Sequence, residues 1–599
     1  MILKIKLSTY LSLGIKNLLI IAIYRFFILN FFKVFRKKHQ FIISGNFFES
    51  NELFKKNTSL GKLPPYKAFG WIKQTSNKNF IWNKNIYTDS IFNHFDTHWT
   101  RLRDDYPEDI KAIWELSRFD WAPCLASQYL NGNRESINEL NYLISDWCTQ
   151  NKPFNGANWM CGQEASLRVI NLALTSIILG NKNIFNDSLK SFIRIHLKRI
   201  LPTIFYALAQ DNNHGTSEGA ALFIGGSWLR KFGFYDGVLY ETIGRKILEN
   251  RANKLIDFDG TFSQYSINYH RLMLDTYCIV ELWRRKLDLK IFTTNFFFKL
   301  SLAVSWLNKM MLPSGLTPNI GHNDGSYLLK FSGYDYRDYR PSFNLASTIF
   351  CSDNKSKILC SYELLNSLRP EEAYQPIEKN KFHHLLNGGF MIHRIGEDGL
   401  LLFNYPRYKF RPSQNDAMHV DLWINGENIL RDGGTYSYNL GDKYVNYFSG
   451  SESHNTIQFD NEEPMPRLSK FLLGNWLKSS QVKFNAGTNY EAKYTDHKGR
   501  SHHRKIFFSN EGIKIVDSVK GFETKAVMRW RLKPDEWKIK GTEISTPHHS
   551  FNVFSTVDIN RFELKHGMES LYYLKKETIP VLEVEISKDG DFITEYYFR

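Results

Sequence analysis

The chain has 599 residues, 43% hydrophobic and 23% charged, which excludes disorder, a collagen-like strand and a coiled-coil rod as its main state. Its formal charge of +16 is uneven: residues 1–48 hold eight Lys/Arg and no acid, so 16 − 8 leaves +8 on the other 551 residues. A body this mildly basic suits an anionic substrate without demanding one, and no nucleic-acid partner is expected. The length predicts two or three domains. Six cysteines with no C-x-x-C exclude a disulfide scaffold and a cysteine zinc site. The 15% aromatic content reads first as a large aromatic core, and second as surface suited to stacking on sugar rings.

The first 40 residues mix apolar and basic types. Their longest uncharged run, Leu7 to Ile15, is nine residues. About 20 would be needed to span a bilayer. No small-x-small cleavage site follows. Segment 1–48 therefore reads as a basic amphipathic stretch, either lying peripherally on an anionic membrane or docked on the protein's own body.

Helical periodicity dominates from about 100 to 365. Ile193, Leu197, Ile200, Leu201, Ile204 and Leu208 form one apolar stripe over 193–208. Further helices are predicted over 109–130, 135–148, 163–179, 216–231, 239–255, 265–286 and 296–310. Successive helical hairpins of this kind build an α/α toroid or a layered helical array, assigned to 49–375. Two prolines and mixed charge mark a linker at 366–385. From 385 to 599 the pattern is strand-like, as in Phe390–His393, Leu400–Leu402, Ile513–Val516 and Val581–Ile586, predicting an antiparallel β-sandwich. The fold class is thus multidomain α+β, helical first and β second.

Four constellations carry chemistry. Asn425-Gly426 is a strong two-residue turn signal, and a turn there sets His419 opposite Asp432. His419, Asp421 and Trp423 share one strand face. A His–Asp pair at that spacing makes a cross-strand hydrogen bond or shares a metal, and His454, if folded nearby, completes a His/Asp/His set suited to zinc. The run Asp211-Asn212-Asn213-His214-Gly215-Thr216-Ser217-Glu218 lies between two helices. Thr216 or Ser217 would cap the second helix, while two amides and an imidazole exceed what a cap needs. In Tyr265-Ser266-Ile267-Asn268-Tyr269-His270-Arg271, the two tyrosines share a helix face. The neighbouring Arg271 would lower the phenol pKa of Tyr269, unless the group is aromatic packing with a solvated arginine.

Taken together, DIKAIWELSRF (109–119), NWMCGQEASLRVINLAL (158–174), NNHGTSEGAALFIGGSWL (212–229), DGTFSQYSINYHRLMLD (259–275), FRPSQNDAMHVDLWINGENILRDGGTYSY (410–438) and SHNTIQFD (453–460) resemble the heparinase II/III-type polysaccharide lyases. The resemblance implies an amino-terminal toroid, a carboxy-terminal β-sandwich, and β-elimination on a uronate-containing polysaccharide in the cleft between them. It implies roles for Asn213, His214, Tyr269, His270 and His419, with Glu218 a weaker match and Asp421 the Asp of the family pattern; the catalytic residues are thus expected to be Asn213, His214, Tyr269 and His419, with Asn212, Glu218, His270, Arg271 and Trp423 as substrate contacts. His419, Asp432 and His454 match positions that form a structural zinc site in some members, and no organic cofactor is implied. One position departs: Ala417 stands where the first His of a Gly-His-x-His-x-Asp pattern is expected, with Asn415 or Asp416 nearby to replace it. The form of 410–423 and the basic amino terminus resemble relatives associated with bacterial surface polysaccharide, implying a cytoplasmic or inner-membrane-peripheral location, with the periplasm as the alternative.

Asn213, with a protonated Glu218, is expected to bind the carboxylate. Tyr269 or His214 takes the C5 proton, and Tyr269 donates to the departing oxygen. Two rivals are a polysaccharide-binding protein on the same scaffold, favoured by Ala417, and a glycoside hydrolase using Glu164 and Glu218.

Overall fold

The structure is a computed structural model, described here for residues 2–28, 39–49, 66–73, 80–102, 106–180, 186–351, 364 and 380–598. Most of the linker expected at 366–385 lies outside these residues.

An α/α toroid is followed by antiparallel β-sheets. The toroid helices are Lys111–Ser117, Trp121–Leu130, Glu135–Gln150, Gly162–Ile178, Asp187–Ile200, Ile204–Ala209, Asn213–Lys231, Asp236–Leu255, Ile267–Lys286, Thr294–Met310 and Arg340–Phe350. Two predicted helices are split. The 109–130 stretch breaks at Phe119, whose φ is 65°. The 193–208 stripe breaks at Leu201–Thr203, where Pro202 sits in a 3-10 turn and has no N–H to continue the α-helical ladder. Close approach of the helices Asn213–Lys231 and Asp236–Leu255 depends on Gly226 and Gly244, where a Cβ would meet backbone nitrogen at 2.3 Å.

The β-region begins with a five-stranded sheet, in order Phe382–Leu385, Phe390–Ile395, Gly399–Asn404, Val420–Ile424, Glu427–Leu430. It is joined by an eight-stranded and a four-stranded antiparallel sheet. The alternation of the first sheet divides two cores. Phe390, Ile392, Leu400, Leu402 and Trp423 pack into the helical core, while Met391, Leu401, Phe403, Leu422 and Ile424 pack into the β-core. With both faces covered, its central strands are apolar almost throughout, and the sheet couples the two domains.

The amino-terminal helices Ile2–Leu13 and Ile15–Ile23 meet at Gly14 with a 93° bend, and among the described residues no single helix is long and apolar enough to cross a membrane. The pair straddles the domains. Thr9 Oγ1 accepts from Asn475 N at 2.9 Å, Asn17 Nδ2 donates to Asp211 Oδ2 at 2.9 Å, and Tyr24 stacks on Tyr206 at 4.3 Å. This is the docked arrangement, yet Leu3, Leu7, Leu11, Ile15, Leu19 and Ile23 remain exposed on it.

Candidate active site

A cavity of about 310 Å³ opens between toroid and β-region. Asn212, Asn213, His214 and Tyr269 line it, so two sequence-distant polar clusters converge as expected. Asn212, rather than Thr216 or Ser217, caps the helix: its Oδ1 accepts from His214 N at 3.0 Å. That bond starts the helix one residue before His214 and turns the next two side chains toward the cavity. Asn213 N donates to Gln264 Oε1 at 2.8 Å, tying the two clusters together, while the Asn213 carboxamide has no partner among the described residues.

Ser266 caps the second helix, its Oγ accepting from Tyr269 N at 3.1 Å. The Tyr269 hydroxyl lies 3.3 Å from that of Tyr438, which comes from the β-region. Burial, reinforced by Asp324, raises the Tyr269 phenol well above its ordinary range. The expected activation by Arg271 is not found. Arg271 turns away and is boxed by Tyr327, Tyr336 and Tyr339, with ring centroids 4.2–4.4 Å from its guanidinium. Its neighbour His270 also points into the toroid, pairing with Ala303 O at 2.8 Å and stacking on Trp306. Successive residues on a helix face different directions, so one helix turn cannot aim Tyr269, His270 and Arg271 at a single cavity. Neither His270 nor Arg271 lines the cleft.

His214 is pushed below its ordinary pKa by burial, with Glu218 opposing, so its imidazole is neutral near pH 7. Glu218, one turn along, lies behind it. Burial raises its pKa to about 8, and its buried Oε2 has no hydrogen-bond partner. Gly162 makes the room: a Cβ there would sit 2.7 Å from Glu218 Oε1. Glu164, the other proposed hydrolytic carboxylate, is gripped at both oxygens by Arg118, at 2.7 and 2.9 Å. Burial alone would raise its pKa, but Arg118 outweighs that and holds it low.

The Asn425-Gly426 turn forms, both residues having positive φ (50° and 78°). The register then departs from the expected one. Ile424 pairs with Glu427 and Trp423 with Asn428, but Leu422 pairs with Leu430, a one-residue bulge. His419 and Asp432 are not ladder partners, but their side chains still meet, Nε2 to Oδ2 at 3.6 Å. His454 Nδ1 lies 2.9 Å from Asp432 Oδ2. These three residues form a wholly buried group whose ligand atoms lie within 4.8 Å of one another. His419 Nε2 and Asp421 Oδ2 are 3.7 Å apart, and neither has a hydrogen-bond partner. Such separations approach the edge of a zinc tetrahedron, roughly 3.3 Å for bonds of about 2.0–2.1 Å. Composition and spacing thus fit a metal. One contact opposes it: Asn455 N donates to His419 Nδ1 at 3.0 Å, which leaves the ring proton on Nε2. His419 is buried in this group and does not line the cavity. Trp423 does not line it either; its Nε1 donates to Asp421 Oδ1 at 2.6 Å and its ring fills the interdomain core.

Ala417 is buried, and the two proposed substitutes for the missing imidazole are both occupied. Asn415 exchanges hydrogen bonds with the Met465 backbone, and Asp416 accepts from Asn404 Nδ2 at 2.8 Å. The cavity wall holds groups that sequence reasoning missed: Tyr438, Asp324 with its 2.6 Å ion pair to Lys111, His322 and Arg411. Tyr438 closes the DGGTYSY segment, but nothing in that string separates it from Tyr436.

Two family models match the chain: Heparinase II/III N-terminus over residues 67–346 and Heparinase II/III-like, C-terminal, over 378–577. Among solved structures, heparinase III is similar with a TM-score of 0.65 and 16% identity, over 85% of this chain and 79% of that one. A mutant of heparan sulfate lyase HepC from Pedobacter heparinus is similar with a TM-score of 0.56 and 19% identity, over 84% and 78%. No curated protein matches by sequence.

Proposed function

The chain belongs to the heparinase II/III-type polysaccharide lyase family, and we propose that its interdomain cavity cleaves a uronate-containing polysaccharide by β-elimination. The observation that carries the reading is the convergence of an unpartnered carboxamide (Asn213), a neutral imidazole (His214) and a protonated phenol (Tyr269) on one cavity. Elimination needs these three functions: a donor to the carboxylate as enolate charge develops, a base for the C5 proton, and an acid for the departing glycosidic oxygen. His214 is the base, since burial keeps its ring neutral. Tyr269 is the acid, since burial keeps its phenol protonated, and Tyr438 orients that hydroxyl. Glu218 supports His214 from behind. The test is incubation with a panel of acidic polysaccharides while following the ultraviolet absorbance of an unsaturated uronate. A new reducing end without that absorbance means hydrolysis, and binding without either means a binding protein.

A structural zinc ion held by His419, Asp432 and His454 would brace the sheet face under Trp423; no catalytic step is assigned to it. The exposed apolar residues of the amino-terminal helices, with Lys4, Lys6, Lys16 and Arg25 among them, suit peripheral contact with an anionic membrane. That contact is consistent with a role in bacterial surface polysaccharide metabolism at the inner membrane.

A further inference from the structure

Four cationic side chains line the cavity: Lys111, Arg118, Arg411 and Lys470. Lys111 is paired with Asp324, Arg118 with Glu164 and Glu115, and Lys470 donates to Asn439 Oδ1. Among the described residues of the cavity wall, Arg411 is the one cation with neither a hydrogen-bond nor an ion-pair partner. Leaving a guanidinium unpaired in a largely desolvated wall is unfavourable unless an anion completes it.

The loop that carries Arg411 is fixed from both sides. Upstream, Tyr265 Oη accepts from Lys409 N at 2.8 Å and from Phe410 N at 3.1 Å. Tyr265 sits just ahead of the helix that presents Tyr269, so the toroid sets the position of Arg411 relative to the phenol. Downstream, Gln414 Nε2 donates to Gly434 O at 3.1 Å and to Phe448 O at 3.3 Å. Pro412 restricts Arg411 itself to extended backbone. The charge of Arg411 is felt by Tyr206 and Tyr269, and by His322 on the same wall. A planar guanidinium held this way matches a carboxylate with two parallel hydrogen bonds.

We propose that Arg411 binds the carboxylate of the sugar and makes the cavity selective for uronate over neutral units. The proposal rests on the cavity being the saccharide site, but it requires binding only, so it survives if elimination does not occur. Asn213 then supplies a neutral donor and Arg411 the opposing charge, a role no motif in the sequence announced.

The test uses full-length protein carrying Tyr269→Phe, so that bound saccharide is not cleaved. Calorimetry is run with alginate, desulfated heparan sulfate and chondroitin oligosaccharides, each beside its carboxyl-reduced counterpart. Arg411→Gln is expected to weaken binding of the acidic form by about 10- to 100-fold while leaving the reduced form unchanged. Arg411→Lys should recover part of the loss. The melting temperature should not fall, because Arg411 has no protein partner to lose. Equal loss of acidic and reduced forms, no loss at all, or no preference of the Tyr269→Phe parent for any acidic form would each overturn the proposal. Failure of the lyase reading shows up separately, as absent ultraviolet product from wild-type protein.

Discussion

The hydroxyls of Tyr269 and Tyr438, 169 positions apart in sequence and on opposite domains, meet at 3.3 Å inside the cavity. The acid of the proposed reaction is therefore positioned by the domain that does not carry it. Tyr269→Phe should leave the fold intact, since only a hydroxyl is lost, and should lower turnover by about 10²-fold or more. Tyr438→Phe should cost less and leave substrate affinity nearly unchanged. Steady-state kinetics on the substrate found in the ultraviolet assay measure both. Full activity in Tyr269→Phe would remove the phenol from the mechanism.

Glu218 titrates near pH 8 in the folded chain against 4.5 for an ordinary Glu. A carboxyl with a raised folded pKa stabilises fully below the unfolded value and loses that contribution as pH rises through the folded one. Glu218→Gln, which cannot ionise, should therefore flatten the fall in melting temperature between about pH 4.5 and 8. A wild-type and a variant curve that run parallel would show that Glu218 is ionised in the fold.

Gly162→Ala should be damaging although the change is one methyl group, because its Cβ would sit 2.7 Å from a Glu218 oxygen. The variant should melt lower than wild type, and pairing it with Glu218→Ala should recover part of the loss. An unchanged melting temperature would mean that the carboxyl moves aside freely.

Elemental analysis of the purified chain should find about one zinc per molecule if the His419–Asp432–His454 group is loaded. Chelation should then lower the melting temperature, and His454→Ala should abolish the effect of chelator. Protein free of metal and indifferent to chelator would leave the purely hydrogen-bonded group, held by the Asn455 N–H on His419.

Vesicle sedimentation tests the amino-terminal helices. Binding to anionic vesicles should exceed binding to neutral ones and weaken with salt. Replacing Lys4, Lys6 and Lys16 by Glu should abolish the difference.

Helix and strand regions were legible because each kept its own period, and the Asn425-Gly426 turn was legible because its chemistry is local. The register beyond it was not: a bulge near Ile429 is not marked by any residue type. Asn213, His214 and Tyr269 were found because two polar clusters stood at helix starts with no structural need for them. His270, Arg271 and Trp423 were placed with them by resemblance and by position in the chain, and neighbouring positions on a helix or a shared strand face do not fix which cavity a side chain enters. Tyr438 and Arg411 escaped because what distinguishes them is a partner across the fold, or the lack of one.

The contact between Thr9 and Asn475 spans 466 positions. At about 5–20 residues per second, the partner of Thr9 is synthesised roughly 23 to 93 s after it. During that interval the first amino-terminal helix has no β-region to dock on, whereas the second, through Asn17, waits only for Asp211 of the toroid. A nearby anionic bilayer would therefore compete first for this segment on the nascent chain, before the cavity it borders has been assembled.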